Sequence, residues 1–460
     1  MTANLPTVLG RLRASAASGL LDGAAARLTQ LDQLSRLLTE QEDPLTAALA
    51  ADLGKPPLEA YTTEIGFTLG EVAHARAHLT DWMRPDKVRT PLALRPGRAR
   101  IVHQPLGVVL VVAPWNYPVQ LVLGPLVGAI AAGNTVVLKP SEVAPATSAA
   151  LVELVPAYLD ERGVAVVEGG VVETQALLAE PFDHIIYTGS GAVAKQVMRA
   201  AAEHLTPVTL ELGGKSPAIV AADADIDVAA RRIAWGRFTN AGQTCVAPDY
   251  VLVDESVEDR LLGALLRAVH DFYGDDPRRS PDYGRIVNER HFDRICGLLD
   301  AGGYEAVITG GGSVRTDRYV APTVLAGVEA GAAVMDEEIF GPILPVLPVP
   351  DLDAAVRFVN ERPPALALYV FSSDAATAER VVERTRSGGA AINTTMMHVA
   401  VPELPFGGVG PSGTGAYHGK AGFERFSHRR AVFSKPTTPD PSVAYPPYKR
   451  WKEAILRRVL

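Results

Sequence analysis

The chain has 460 residues, 47% hydrophobic and 21% charged, with 44 Lys+Arg against 52 Asp+Glu for a formal net charge of −8. That apolar content excludes global disorder, and the acidic balance excludes a general nucleic-acid binder, whose footprint is a strongly basic face. Two cysteines, Cys245 and Cys296, are too few for a disulfide framework, so the composition predicts a soluble, cytoplasmic, multi-domain α/β protein of about three ~150-residue units.

The N-terminal MTANLPTVLGRLRASAASGLLDG has Arg11 and Arg13 but no acid before Asp22, superficially like a transit peptide. Leu and Ala at helical spacing, there and in LTQLDQLSRLLTEQEDPLTAALAADLGK, predict an amphipathic helix running on through both instead. The most apolar stretch, residues 106–138, is long enough to cross a bilayer. Pro114, Asn116, Pro118, Gln120, Gly124-Pro125 and Gly133-Asn134 break it into strand, loop, helix and strand. No transmembrane segment is expected.

From 106 to about 211, apolar strands at 107–112, 135–139, 164–168, 184–188 and 207–211 alternate with helices around 119–132, 145–158, 173–179 and 191–205. That alternation predicts a parallel, doubly wound sheet whose ligand site lies at the strand C-termini. A second α/β domain follows to about 393. Its strands are expected at 216–220, 250–254 and 367–371, and its helices around 225–238, 256–273, 287–301, 351–360 and 374–386. Gly310-Gly311-Gly312 and the prolines near 342–350 read as loops inside it. Beyond Ser434 a proline-rich stretch leads to YKRWKEAILRRVL, which predicts a docked terminal helix, with weak peripheral contact to an anionic membrane as the second reading.

Three motifs mislead. GVGPSG (408–413) fits G-x-G-x-x-G but contains a proline and runs into further glycines, so it reads as a glycine-rich loop. GGKS (213–216) lacks the first glycine of a phosphate-binding loop, Thr209 standing there. His74 and His78, at i and i+4, have metal-ligand spacing but read as a solvated helix face, and no metal is expected.

Cys245, in NAGQTCVAPDY, lies just before a strand; alone it is a small packed hydrophobe more readily than a nucleophile. Glu211, in LELGGKSP, and Asn116, in PWNYP, sit at strand ends, where each is also explicable as a loop residue. Together the three supply a nucleophile, a base and an oxyanion donor. No G-x-S-x-G elbow supports a serine hydrolase.

PWNYP (114–118), LKPSE (138–142), YTGS (187–190), LELGGKSP (210–217), GQTCVAPDY (242–250), EEIFGPILPV (337–346) and LPFGGVGPSGTGAYHGK (404–420) run in one order along the chain. They resemble the aldehyde dehydrogenase superfamily, and GQTCVAPDY, PFGGVG and YHGK followed by FERFSHRRAV resemble its class 3 branch. The resemblance implies a Rossmann-type cofactor domain (1–79 and 104–210), an α/β catalytic domain (211–400) and a small β oligomerisation or bridging element (80–103 and 401–460). It implies NAD(P)-dependent oxidation of an aldehyde to a carboxylic acid, in a homodimer.

In that reading Cys245 is the nucleophile, Asn116 and the Cys245 backbone N–H hold the oxyanion, and Glu211 activates water. Lys139 and Glu142 match positions near the adenosine ribose. Gly189 and Ser190 match the helix start facing the pyrophosphate, Glu338 the nicotinamide ribose, and Phe340 the ring packing beside it. Ala194 stands where many relatives have a second glycine, a departure at the pyrophosphate. The Glu142 carboxylate disfavours a 2′-phosphate, so NAD is favoured over NADP. Tyr117 and Trp235 are expected to line a tunnel for aromatic or medium-to-long aliphatic aldehydes, with ordinary aromatic core as the competing reading. NTTMMH (393–398) departs from the relatives in a loop that lines their pocket. The alternatives are a relative that acylates coenzyme A or reduces acyl groups, and a non-catalytic structural homologue. Retention of Glu211 opposes the first, and retention of all three residues the second.

Overall fold

The computed structural model describes residues 5–459, so the first four residues of the N-terminal reading lie outside the described part. The expected single amphipathic run divides into three helices, Leu5–Ala17, Ala24–Glu40 and Glu42–Leu53. Gly19, at φ 74°, turns the chain where a side chain would be strained, and Gly23 begins the second helix. Leu9, Leu12, Leu31, Leu34, Leu38 and Leu49 all reach zero exposure, so helical spacing identified the buried face correctly.

A six-stranded sheet has the order Gly413–Thr414, Val208–Glu211, His184–Thr188, Val108–Val112, Thr135–Lys139 and Val164–Val166. Its strands are parallel except the first, which runs antiparallel to Val208–Glu211. Val108–Val112 and Thr135–Lys139 are buried along their whole length, as expected of central strands covered on both faces. From Val108–Val112 the chain winds outward one way to Val164–Val166, then returns to His184–Thr188 on the other side. The order therefore reverses between Val108–Val112 and His184–Thr188, and a doubly wound sheet opens a crevice at that point. Helix Gln120–Ala132 is buried almost all round, which accounts for its membrane-like sequence. Among the described residues no helix is long and apolar enough to cross a membrane.

A seven-stranded sheet has the order Ala306–Thr309, Thr323–Ala326, Ile343–Val349, Tyr250–Asp254, Pro217–Val220, Ala367–Phe371 and Gly389–Ile392. The strand Ile343–Val349 corrects the expectation of a loop near 342–350. Pro345 and Pro348 remove two donors, but Ile343, Leu344, Val346 and Leu347 are all buried, and that apolar burial outweighs the lost bonds. A third, antiparallel sheet joins Asp86–Val88, Arg98–Pro105 and Ser427–Ser434. Residues 413–414, expected in the bridging element, belong to the six-stranded sheet.

The terminal helix Arg450–Val459 is held to the preceding segment by Lys452 Nζ, which donates to the carbonyls of Ser442 and Tyr445 at 2.7 Å each. Trp451 and Ile455 stay about half exposed, so its apolar face is less covered than the expected docked helix requires.

Candidate active site

The loop after Val108–Val112, the end of Val208–Glu211, the start of helix Gly191–Glu203 and the segment before Tyr250–Asp254 surround a cavity of about 510 Å³. Of the sequence candidates it brings together Cys245, Glu211, Asn116, Gly189, Ser190, Glu338 and Phe340. Lys139, Glu142, Tyr117 and Trp235 are not in its lining.

Cys245 occupies a turn in which the Ala247 N–H donates to the Thr244 carbonyl at 3.0 Å. Burial first, then the carboxylates of Glu338 and Glu211, push its thiol up, while the backbone N–H groups of Cys245 and Val246 oppose the shift. The thiol therefore holds its proton until a base removes it.

Glu211 ends its strand with 2% exposure, and neither carboxylate oxygen has a hydrogen-bond partner in the protein. Burial holds its carboxyl well above the ordinary range, opposed only by the more distant charge of Arg425. A buried carboxylate without partners is a strong proton acceptor for whatever enters the cavity.

Asn116 is held by neighbours that sequence reasoning did not single out. Its Nδ2 donates to the Gln243 carbonyl at 3.0 Å, and the residue lines the cavity. Its own carbonyl accepts from Asn240 Nδ2 at 2.8 Å and from Lys55 Nζ at 3.3 Å. Asn240 and Ala241 both take left-handed backbone conformations, at φ 54° and 50°. Lys55 pairs with Glu64, both side chains being fully buried, and Glu64 Oε2 accepts from the Val119 N–H at 2.8 Å. The Lys55 ammonium also lies 4.2 Å from the Tyr117 ring centre, and the Tyr117 hydroxyl is 2.5 Å from Thr244 Oγ1. Tyr117 thus braces the turn that carries Cys245. Signals existed only in part: Asn240 lies in the same NAGQTC run as Cys245, whereas nothing local marks Lys55 or Glu64.

Glu338 and Phe340 are positioned by a buried charge cluster. Asp249 Oδ2 is 2.5 Å from Lys215 Nζ, and its Oδ1 is 3.0 Å from Arg237 Nη1. Asp249 Oδ1 accepts from the Ile339 N–H at 3.1 Å, and Lys215 donates to the carbonyls of Val334 and Glu337. Lys215 and Asp249 close the two motifs LGGK and CVAPD, so both were in quoted segments without being assigned a task. Burial, then Asp249, pushes the Glu338 carboxyl up to about 8. A Cβ on Gly213 would meet Glu338 Oε2 at 1.8 Å, so any side chain there would displace this carboxylate from its place across the chain. Trp115 stands edge-on to Phe340 with ring centres 5.3 Å apart.

At the other end, the N–H groups that open helix Gly191–Glu203 face the cavity beside Gly189 and Ser190. Ser190 caps the helix by accepting from the Val193 N–H at 3.5 Å. A Cβ on Gly189 would meet the Tyr187 hydroxyl at 2.3 Å, so the tyrosine packs against the chain where a side chain would otherwise stand. Ala194 is buried against the sheet, so the departure noted there fills packing space. On the far side of Thr135–Lys139, Lys139 Nζ pairs with Glu142 at 2.8 Å, the ammonium buried and the carboxylate about half exposed. A cavity with helix-opening N–H groups at one end and a thiol beside an unpartnered carboxylate at the other fits a phosphate-bearing dinucleotide reaching a reactive centre.

The model of the Aldehyde dehydrogenase family matches residues 22–432. The 4,4'-diaponeurosporen-aldehyde dehydrogenase of Staphylococcus aureus is 49% identical over 423 residues, which cover 92% of this chain and 92% of that protein. The dimeric NADP-preferring aldehyde dehydrogenase of Rattus norvegicus is 49% identical over 92% of this chain and 93% of its own. A solved structure, the substrate-bound state of Staphylococcus aureus AldH, superposes with a TM-score of 0.96 at 46% identity, covering 99% of both chains.

Proposed function

The chain belongs to the aldehyde dehydrogenase family, and on that premise we propose how its own residues divide the NAD(P)-dependent oxidation of aldehydes to carboxylic acids. The carrying observation is that Cys245, Glu211 and Asn116 line one cavity whose other end is the start of helix Gly191–Glu203.

Once a base in the cavity has taken its proton, the Cys245 thiolate attacks the aldehyde carbon, forming a C–S bond as the carbonyl π pair moves to oxygen to give a thiohemiacetal oxyanion. The second N–H of Asn116 and the backbone N–H of Cys245 hold that oxyanion, in a site where few waters compete. Bound along the crevice, NAD or NADP supplies the hydride acceptor. Gly189, Ser190 and the N–H groups after them bind its pyrophosphate, Glu338 and Phe340 hold the nicotinamide end, and Lys139 with Glu142 meets the adenosine ribose. The resulting thioester remains on Cys245 until Glu211 takes a proton from water and the hydroxide displaces the thiolate, releasing the acid.

The half-exposed Glu142 carboxylate supports NAD as the favoured cofactor, since it repels a 2′-phosphate. The aldehyde is aromatic or a medium-to-long aliphatic chain. Trp235 and Met397, both exposed, lie on two segments tied together by the Thr395 hydroxyl, which donates to the Arg232 carbonyl at 2.7 Å, and they support an apolar entrance. Residues 1–79 and 104–210 form the cofactor domain and 211–400 the catalytic domain. Residues 80–103 and 401–460, apart from 413–414, form the element that joins two copies in a cytoplasmic homodimer; the rat relative's name describes it as dimeric.

An aldehyde panel run with NAD and NADP in parallel, with product analysis in the presence of coenzyme A, tests the reading. Free acid with reduced cofactor is expected. Acyl-CoA as the product would overturn the role of Glu211, and no cofactor reduction across the panel would overturn the function.

A further inference from the structure

Helix Gly66–Trp82 carries His74 and His78 one turn apart, where a solvated face was expected. The His74 side chain is only 13% exposed. Its ring packs 4.3 Å from that of His78 and 5.6 Å from that of Trp82. A third donor arrives from far along the chain: Glu403 brings Oε1 to 3.3 Å from His74 Nε2. That nitrogen is buried and makes no hydrogen bond among the described residues. One donor atom from each of the three side chains lies within 4.8 Å of the other two.

His78 Nδ1 lies 2.9 Å from the His74 carbonyl. With its proton on that nitrogen, His78 keeps a lone pair on Nε2, and a hydrogen bond on the opposite ring nitrogen is how ligating histidines are oriented. A tetrahedral shell with bonds of about 2.0–2.1 Å has donor-to-donor edges of roughly 3.3–3.4 Å, which the His74–Glu403 separation already meets. The other two edges lie within 4.8 Å, and they close by small rotations of the His78 ring and of the Glu403 side chain, which is 69% exposed.

We propose that His74, His78 and Glu403 form a binding site for a zinc-class divalent cation, with water in the fourth position. Two imidazoles and one carboxylate select a borderline transition metal over Mg²⁺ or Ca²⁺, which require mostly oxygen donors. The bound ion ties the 401–404 segment to helix Gly66–Trp82. That segment leads directly into Phe406, which bridges to Tyr417, and on to Gly413, which pairs with Glu211. The clamp lies outside the cavity lining, so the ion has no part in the aldehyde chemistry.

The test is calorimetric titration of ZnCl₂, with MgCl₂ as the contrast, into full-length protein carrying Cys245→Ser and Cys296→Ser so that neither thiol competes. One zinc per chain with micromolar or tighter affinity is expected, with no magnesium uptake and a raised thermal midpoint. His78→Ala should abolish uptake. Loss of an outer hydrogen bond alone costs a metal site about 10–100-fold, so Glu403→Gln should weaken zinc by roughly tenfold or more. Because Glu403 is exposed, that variant keeps the fold, and its parent-like midpoint without zinc will show it. Absence of zinc binding in the parent overturns the proposal, as does zinc uptake that Glu403→Gln or His78→Ala leaves unchanged.

Discussion

Asn240 donates its side-chain amide to the backbone carbonyl of Asn116 at 2.8 Å, across 124 positions of sequence. It also donates to the Gln243 carbonyl at 3.2 Å, the same oxygen that receives the Asn116 side chain. One asparagine thus sets the position of the other from both sides.

Replacing Asn240 with Ala removes both donations and puts at φ 54° a residue that tolerates the left-handed region less well than asparagine does. A displacement of about 1 Å at a reacting group costs roughly 10²-fold, so kcat should fall by tens to a hundredfold. The dissociation constant for the cofactor should change little, because Asn240 lies away from the pyrophosphate end. Asn240→Asp, which keeps shape but exchanges a donor for an acceptor, should lose kcat similarly. Steady-state kinetics with cofactor binding measured separately would check both; unchanged kcat in either variant would remove Asn240 from a positioning role.

Cys245→Ser should abolish turnover while cofactor binding persists, since the thiol is far from the helix start that receives the phosphates. Glu211→Gln should slow thioester hydrolysis by about 10²–10⁴-fold, the usual range for removing a general base. Acyl-enzyme should then accumulate, visible as a burst of reduced cofactor of one equivalent per site. An unchanged steady-state rate would transfer the base role to Glu338.

Asp249→Ala leaves the Arg237 guanidinium buried without its counter-charge and releases the Ile339 N–H. Breaking a buried pair by removing one partner costs about 3–5 kcal/mol. Chemical denaturation should show that loss. Activity per folded molecule should fall as well, because the segment carrying Glu338 and Phe340 loses its anchor. A loss below ~1 kcal/mol would mean that Lys215 alone holds the segment.

His184 and His418 are buried, with burial as the main cause lowering each to about 4. In the unfolded chain both titrate near 6.5. Between pH 6.5 and 4 the unfolded chain therefore binds protons that the folded chain refuses. Stability contributed by these groups is complete above pH 6.5 and is lost as pH falls toward 4, at up to about 1.4 kcal/mol per pH unit for each histidine. His184→Gln should flatten that limb by close to one proton in unfolding measurements across pH 4–6.5. A curve parallel to the parent's would show that His184 titrates normally in the fold.

Much of this molecule could be read before any coordinates. Strands such as Thr135–Lys139, His184–Thr188, Tyr250–Asp254 and Ala367–Phe371 match the expected bounds because they are short, unbroken apolar runs between helices. Arg98–Pro105 and Ser427–Ser434 fall in the small β element that only the family resemblance implied: RARIVHQP and SHRRAVFS are charged, the first mostly half-buried and the second mostly exposed, and they are held as strands by pairing with each other and, for the first, with Asp86–Val88. Cys245, Glu211 and Asn116 stood out because each lies in a short distinctive run. Lys55, Glu64 and Asn240 act on Asn116 through contacts that exist only after folding, so no local pattern carries them. The His74–His78 spacing was visible, but Glu403 enters from the far end of the chain, and the exposed face expected from helical periodicity is covered by it.

The pairing of Gly413 with Glu211 also sets an order of events during synthesis. The strand bearing Glu211 leaves the ribosome about 200 residues before its neighbour, a wait of roughly 10–40 s at ordinary elongation rates. Through that interval the strand is an open edge able to pair with the wrong partner. A nascent chain therefore holds both Glu211 and Cys245 well before the strand that closes the sheet beside Glu211. A product truncated ahead of residue 413 keeps that edge open, so residue 413 must be synthesised before the Glu211 strand gains its last neighbour.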